Sequence, residues 1–284
     1  MEVVPFTTAL FSGAMAGLSV DVSLFPLDTL KTRAQSPHGF RAAGGFTGIY
    51  KGLGATVIGS APGDGIFFTV YESMKPAVLS FNQRFLGMDV ESQAGKSWSH
   101  MGAACCGEVA ACLVRVPTEV VKSNMQTSTH SSSSTVASTV RAITTDGGFL
   151  GLYRGFGITI MREIPFALIQ FPIYEALKER WGAYQGSDAS PAQSAFCGSF
   201  GGAIGAAATT PLDVIKTRLM LATDKAGVKY NGVIDCATRV VNSEGAGTLL
   251  SGIKPRVMWI SIGGYVFFYG YEKSKELITS FRGQ

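Results

Sequence analysis

A short proline motif recurs through this chain at nearly constant spacing, and this repetition constrains the fold more than any other feature. The prolines are 91 and 94 residues apart, and the motif Pro-x-acid-x-x-Lys begins at Pro26, Pro117 and Pro211. About half a period later the motif Tyr-Glu-x-x-Lys begins at Tyr71, Tyr174 and Tyr271. Two interleaved series of three indicate three copies of one structural unit. We therefore divide the chain into repeats 1–92, 93–186 and 187–284.

Each repeat has two apolar segments with a polar connection between them, which predicts a pair of helices. The predicted helices cover about 6–34, 53–76, 99–127, 156–180, 192–221 and 253–279. Charged residues form only 15% of the chain, against about 25% in soluble domains, and this favours a membrane protein. Because the chain has no run of 18 uninterrupted apolar residues, a soluble all-α protein remains the alternative. The predicted fold is an all-α membrane protein with six transmembrane helices, arranged with pseudo-threefold symmetry around a central cavity.

The basic residues predict an orientation for these helices. The segments that follow the Pro motifs (31–58, 122–155 and 216–256) contain 14 basic and 4 acidic residues, whereas 72–100 and 175–192 contain 5 and 6. By the positive-inside bias, the first three segments share one side of the membrane and both termini lie on the other.

The charged positions of the two motifs predict two rings of ion pairs. An acid and a base three residues apart lie on one helix face, and charges inside a membrane normally pair within the protein. We call the first set the Pro-motif ring: Asp28, Lys31, Glu119, Lys122, Asp213 and Lys216. We call the second set the Tyr-motif ring: Glu72, Lys75, Glu175, Lys178, Glu272 and Lys275. Two breakable rings at the ends of one cavity meet the needs of alternating access; pairs on the helix surfaces are the alternative.

Over nearly its whole length, and in all six of these motifs, the sequence resembles the mitochondrial carrier family. The resemblance implies six tilted helices kinked at proline, an inner-membrane location and both termini toward the intermembrane space. It implies that the Pro-motif ring closes the matrix end through Asp28 with Lys122, Glu119 with Lys216, and Asp213 with Lys31. It implies that the Tyr-motif ring closes the cytosolic end through Glu72 with Lys178, Glu175 with Lys275, and Glu272 with Lys75. Met220 departs from the pattern, since Gln35 and Gln126 at that position could brace the other two matrix pairs.

A substrate without threefold symmetry needs side chains that do not recur in every repeat. Applying this filter to the predicted helices gives the candidate substrate-binding residues Asp21, Asp64, Phe67, Glu108, Arg162, Glu163, Arg256 and Trp259. Of the aromatic candidates we favour Trp259, because aromatic residues at helical spacing more often serve packing. Arg115 also breaks the symmetry, with a fixed ion pair to Glu108 as the alternative.

The charge of this set limits the substrate class. Four acids and three bases, Arg115 included, sum to −1, whereas a nucleotide or phosphate carrier would need a basic excess. Segments 107–117, 161–166 and 255–261 are similar to those of carriers of S-adenosylmethionine, a zwitterion joined to a sulfonium and an adenosine. The resemblance implies exchange of cytosolic S-adenosylmethionine for matrix S-adenosylhomocysteine. A carrier of a cationic or neutral amino acid is the alternative.

An enzyme and a membrane scaffold are the rival classes. The three histidines His38, His100 and His130 have no evident acid and nucleophile around them, and a scaffold needs no paired charge rings. We expect no catalytic residue, metal or cofactor and no nucleic-acid partner. The expected partners of the monomer are a small-molecule substrate and inner-membrane lipid.

Overall fold

A computed structural model describes residues 6–85, 93–127, 135–187 and 189–263. Within these ranges the protein is helical, apart from turns and one antiparallel bridge between Thr223 and Lys229. The helices are α1 (Phe6–Gln35), α2 (Gly39–Ala42), α3 (Leu53–Phe85), α4 (Gln93–Gln126), α5 (Val136–Gly147), α6 (Phe156–Gln185), α7 (Pro191–Ala208), α8 (Thr210–Leu221) and α9 (Val233–Glu244). Short 3-10 helices cover Phe149–Tyr153 and Ala246–Leu250. Residues 253–263 are helical as well.

The long helices occur where the hydropathy pattern predicts them, but several are longer. α3 continues to Phe85 instead of ending near residue 76, and α4 begins at Gln93 instead of residue 99. These extensions carry polar residues, which a search for apolar segments leaves out. Of the sixth predicted helix, 253–279, residues beyond 263 lie outside the described ranges.

The predicted helix over 192–221 is present but is interrupted at a single residue. α7 ends at Ala208 and α8 begins at Thr210, with Thr209 between them at φ −92° and ψ 4°. Pro211 has no backbone N–H to donate to the preceding turn, which weakens the helix at this point. The prolines of the first two motifs, Pro26 and Pro117, lie inside continuous helices.

Small residues allow two pairs of long helices to pack closely, α3 with α4 and α6 with α7. A Cβ atom at Gly107 would lie 3.0 Å from the Phe67 carbonyl oxygen, and one at Gly201 would lie 2.9 Å from the Gln170 carbonyl oxygen. Close backbone approach at small residues is typical of helices that associate in lipid, where burial of apolar surface gives no drive between helices.

The outer face of α6 is apolar. Met161, Ile164, Leu168 and Phe171 are each about half exposed and recur at the spacing of one helix face. Exposed apolar surface of this extent marks contact with lipid or protein. Among the described helical segments, one stretch, Phe149–Gln185, is long and apolar enough to count as a membrane span by hydropathy, with a mean of 1.3.

Two amphipathic helices pack beneath the ends of the long helices. α5 buries Ile143 against Val116 and Val120 of α4, whereas α9 buries Cys236 and Val240 against neighbours that include Ile158 and Ile215. The ends of α1, α4 and α8, which carry the Pro motifs, are thereby held at one end of the molecule.

Candidate functional site

The structure brings the six charged residues of the Pro-motif ring together as three ion pairs. The Nζ atom of Lys122 lies 2.8 Å from Oδ2 of Asp28, that of Lys216 lies 2.7 Å from Oε2 of Glu119, and that of Lys31 lies 2.8 Å from Oδ2 of Asp213. Each pair joins the acid of one repeat to the lysine of the next. The three pairs therefore connect the three repeats in a ring at this end of the molecule.

Glutamine braces two of the three pairs. Gln126 donates through Nε2 to Oδ2 of Asp28 at 3.0 Å, and Gln35 donates through Nε2 to Oδ2 of Asp213 at 2.8 Å. Met220 occupies the third position and has no amide to donate. The pair between Glu119 and Lys216 therefore has no glutamine brace.

Asp213 has more cationic partners than the other two acids. Besides Lys31, its carboxylate pairs through Oδ1 with Nη1 of Arg256 at 2.7 Å, and Nε of Arg162 lies 3.7 Å away. The Asp213 side chain is only 3% exposed. A buried carboxylate needs such partners, because an unpaired charge out of water is costly.

Near the Pro-motif ring, three hydrogen bonds from side chains to backbone carbonyl groups also join each repeat to the next. The sequence analysis does not predict them. Arg33 donates through Nε to the Gln126 carbonyl oxygen at 2.7 Å, and Asn124 donates through Nδ2 to the Met220 carbonyl oxygen at 3.2 Å. Arg218 donates through Nε to the Gln35 carbonyl oxygen at 2.5 Å. All three donors stand seven residues after the motif proline, so the repeat contains the signal. The change from arginine to asparagine in the second copy hides it.

Three glycines show the same threefold pattern at the start of the second helix of each repeat. Gly52, Gly155 and Gly252 have φ values of +92°, +82° and +76°. A Cβ atom at these positions would lie 3.4, 3.5 and 3.2 Å from the carbonyl oxygens of Lys122, Lys216 and Lys31, respectively. Each repeat therefore contacts the backbone of the next one at its ring lysine.

Two further pairs of opposite charge lie within the long helices, beside the Pro-motif ring. On α6, Arg162 donates through Nη2 to Oε1 of its neighbour Glu163. On α4, Arg115 pairs with Glu108 at 2.9 Å. All four side chains are between 15% and 29% exposed, so water reaches them in part. Glu108 is thus held by the fixed pair that the sequence analysis left as the alternative.

Two predicted substrate-binding residues have other contacts in the structure. Arg256 is 3% exposed, pairs with Asp213 and donates through Nη2 to Oγ1 of Thr209 at 2.8 Å. Its guanidinium is thus engaged near the Pro-motif ring. The ring of Phe67 packs against Gly107 and stacks on Tyr71, so it serves contact between α3 and α4.

The remaining substrate candidates lie on three different helical segments. Asp21 lies on α1, seven residues before Asp28 and therefore on the same helix face. Asp64 lies on α3, and its side chain is outside the described part of the structure. Trp259 is partly buried on the helical segment 253–263.

The Tyr-motif ring is described only in part. Glu272 and Lys275 lie outside the described residues, as does the side chain of Glu72. Lys75 lies 4.4 Å above the ring of Tyr71, and Lys178 lies 5.9 Å above that of Tyr174. Glu175 and Lys178 are exposed and make no ion pair with any side chain that the structure describes. The three ion pairs of the Pro-motif ring are thus formed while Lys178, at the opposite end, has no carboxylate partner among the described residues.

Polar contacts also lock the segments beneath the Pro-motif ring. Glu244 holds Arg218 through two contacts of 2.7 and 3.0 Å. Partial burial raises the pKa of Glu244, but the hydrogen bonds and positive charges of Arg218 and Lys225 outweigh it and leave that pKa below its usual range. Hydrogen bonds from Lys229 and Arg154 lower the pKa of Asp146. Lys229 and Asp146 belong to different repeats, so their pair also joins two of them.

Comparison with known proteins gives matches over the whole length of the chain. A family model described as "Mitochondrial carrier protein" matches residues 2–82, 93–185 and 187–282. The mitochondrial S-adenosylmethionine carrier protein of Xenopus tropicalis is 44% identical over 98% of both chains. That of Mus musculus is 44% identical over 98% of this chain and 97% of its own. The S-adenosylmethionine mitochondrial carrier protein homolog of Drosophila melanogaster is 44% identical over 96% of this chain and 93% of its own.

Proposed function

This chain belongs to the mitochondrial carrier family, and we propose that it exchanges cytosolic S-adenosylmethionine for matrix S-adenosylhomocysteine by alternating access. The family consists of transporters with six helices in the mitochondrial inner membrane. The observation that carries the choice of substrate is the identity of 44% over 98% of the chain to proteins named mitochondrial S-adenosylmethionine carrier.

The charges of the helices support a cationic substrate. Arg115 is paired with Glu108 and Arg256 with Asp213. Because Lys31 already balances the charge of Asp213, Arg256 still counts. The cations Arg162 and Arg256 therefore stand against the acids Glu163, Asp21 and Asp64, and the net charge is negative. S-adenosylmethionine carries a net charge of +1, with one negative and two positive groups.

We assign the ends of the substrate to separate side chains. Arg162 binds the substrate carboxylate and Glu163 binds its α-ammonium, which requires their own pair to open when the substrate enters. Asp64, or Glu108 once its pair with Arg115 opens, compensates the sulfonium, and Trp259 stacks on the adenine. The sulfonium is absent from S-adenosylhomocysteine, so the product needs no such partner.

The two charge rings are proposed as the gates. The Pro-motif ring faces the matrix and is closed by its three ion pairs, whereas the Tyr-motif ring faces the cytosol and is open where Lys178 has no described carboxylate partner. In the opposite state the Pro-motif pairs separate and the Tyr-motif pairs form. Both termini then lie toward the intermembrane space, and repeats 1–92, 93–186 and 187–284 move as the three units.

Exchange in liposomes tests this function. Purified protein is reconstituted with unlabelled S-adenosylhomocysteine inside, and uptake of labelled S-adenosylmethionine is compared with uptake into empty vesicles. We expect rapid uptake only into loaded vesicles. Asp64→Asn and Glu163→Gln should each reduce it by about tenfold or more, the cost of losing a charge-assisted contact. Glu179→Gln is the matched control, because Glu179 is an exposed acid on the same helix as Glu163.

Two outcomes would contradict this assignment. Wild-type rates in both variants would show that the residue roles are wrong. Uptake of labelled arginine or ornithine in place of S-adenosylmethionine would identify a carrier of cationic amino acids, since the pair of Arg162 and Glu163 could hold any α-amino acid end.

A further inference from the structure

The corner of the Pro-motif ring between repeats 3 and 1 is built differently from the other two. The two carboxylate oxygens of Asp213 serve different neighbours. Oδ2 contacts Lys31 and Gln35, both in repeat 1, whereas Oδ1 pairs at 2.7 Å with Arg256, which is in the same repeat as Asp213, and more distantly, at 3.7 Å, with Arg162 of repeat 2. Separation of repeats 3 and 1 therefore removes the partners of one oxygen and leaves the other paired.

In the part of the chain that the structure describes, the other two acids form no ion pair with a residue of their own repeat. Asp28 bonds to Lys122 and Gln126, both of which belong to repeat 2. Glu119 pairs with Lys216 of repeat 3. Among the described residues, neither acid has a further ion pair. When the ring opens, each of them loses every described ion-pair partner that holds its charge.

Arg256, Thr209 and Asp213 are also linked to one another within repeat 3. Arg256 donates to Oγ1 of Thr209, and the backbone N–H of Asp213 donates to the Thr209 carbonyl oxygen at 3.1 Å. Thr209 is the residue at which α7 and α8 separate. Asp213 and its retained cation can therefore move together at this break.

Arg256 also affects the closed ring. It binds the same carboxylate as Lys31, and like charges that share one partner repel each other. In the closed state this repulsion weakens the hold of Lys31 on Asp213. In the open state the same guanidinium continues to neutralise Asp213. Both effects favour opening at this corner.

We propose that Arg256 makes the corner between Asp213 and Lys31 the first part of the Pro-motif ring to open toward the matrix, an inference that rests on the proposed gating by this ring. Arg256 is a positioning residue in this account, because it acts through Asp213 and does not bind the substrate.

Three equivalent residues provide a probe for each corner. Thr32, Ser123 and Thr217 each stand six residues after the motif proline and are 7%, 8% and 7% exposed. Thr217 contacts Gln35 across the corner between repeats 3 and 1, and Ser123 contacts Met220 across the corner between repeats 2 and 3. Cysteine replaces each residue singly, in a protein whose five native cysteines are changed to alanine.

The labelling experiment uses a membrane-impermeant maleimide on the matrix side of reconstituted vesicles, without substrate. We expect Thr217→Cys to react several-fold faster than Thr32→Cys or Ser123→Cys. Arg256→Gln should remove this difference, and Arg256→Lys, which keeps a cation, should preserve it. Equal rates at the three corners, or a fastest rate elsewhere, would overturn the proposal. Because no substrate is present, the result does not depend on the identity of the substrate.

Exchange kinetics separate this role from substrate binding. Arg256→Gln alone should slow exchange. In a protein that already carries Asp213→Asn, the same change should have no further effect, because the amide at that position has no charge that Arg256 must neutralise. Arg141→Gln, on the exposed face of α5, is the matched control. If Arg256→Gln raised KM equally in the wild type and in Asp213→Asn, Arg256 would bind the substrate directly, and the proposal would be overturned. Failure of the wild type to exchange S-adenosylmethionine would instead contradict the proposed function.

Discussion

Asp213 shows how one residue can combine two roles that the sequence separates. The repeat pattern predicts its ion pair with Lys31, because that pair belongs to a series of three. The pattern does not predict the contact with Arg256, which occurs in one repeat only. Arg256 became a substrate candidate because repeats 1 and 2 have no arginine at the equivalent position. A residue that modifies only one corner of the ring would also be found in one repeat only. A departure from the threefold pattern therefore identifies a residue with a distinct role, but it does not show whether that role is substrate binding or gating.

Charged residues that recur imperfectly are the hardest to interpret from sequence. Arg33 and Arg218 bond to backbone carbonyl groups of the next repeat. Asn124 makes the corresponding bond with a shorter, neutral side chain. Backbone carbonyls leave no mark in the sequence, so no pairing rule based on opposite charges could find these contacts.

At the residue scale we predict a pH-dependent contribution from Glu244. Its pKa is lower in the folded protein than in the unfolded chain, so its stabilisation is complete only above the unfolded-state pKa of about 4.3 and is lost as the pH falls through the lowered value. Glu244→Gln should reduce stability at pH 7 by about 1–3 kcal/mol. Thermal unfolding in detergent measures both effects.

The same melting curves contain the control for this prediction. The difference between wild type and Glu244→Gln should shrink as the medium is made more acidic, because the wild-type carboxylate becomes protonated. A difference that stays constant from neutral to acidic pH would show that the charge of Glu244 does not stabilise Arg218.

At the scale of the helices, proline has different effects in equivalent positions. α1 and α4 continue through their motif prolines, whereas α7 ends at Ala208 and Pro211 belongs to the separate helix α8. Thr209, which lies at the break, accepts a hydrogen bond from Arg256. The proline motif predicts a weak point in all three helices. The helix that is interrupted, between α7 and α8, is the one whose residue Thr209 has a tertiary contact with Arg256.

We predict a large difference between two neighbouring glycines at the start of α6. Gly155 has a φ of +82° and lies against the end of α8, so Gly155→Ala should cost about 1–3 kcal/mol of stability. Gly157 lies in the first turn of the helix, and a Cβ atom there would have no neighbour within 4 Å. Gly157→Ala should leave stability unchanged or raise it by up to about 1 kcal/mol.

Thermal unfolding of the two alanine variants side by side checks this prediction. Equal melting temperatures would contradict it, since both changes add one methyl group at the start of the same helix. Their difference isolates the backbone conformation and the contact with the next repeat from helix propensity.

At the scale of the whole molecule, the repeats predict most of the architecture and little of the substrate. Equal spacing of the motifs is enough to place acids beside the lysines of the next repeat, because three similar units must close on one another. The substrate has no such symmetry. Arg162 and Glu163 stand next to each other and satisfy each other in the structure, so geometry without a ligand does not reveal which groups they bind.

Gating requires that the ion pairs of the Pro-motif ring form and break during transport. The pair between Glu119 and Lys216 tests it most directly, because it has neither a glutamine brace nor a second ion pair among the described residues. Glu119→Lys and Lys216→Glu each place like charges together and should reduce exchange by more than about tenfold.

The decisive measurement is the exchange rate of the double variant that carries Glu119→Lys and Lys216→Glu, in liposomes and at equal amounts of folded protein. Recovery of most of the wild-type rate is the predicted result, because the swapped charges can still attract and separate. A double variant as slow as the single ones, or single variants as fast as the wild type, would contradict gating by this ring.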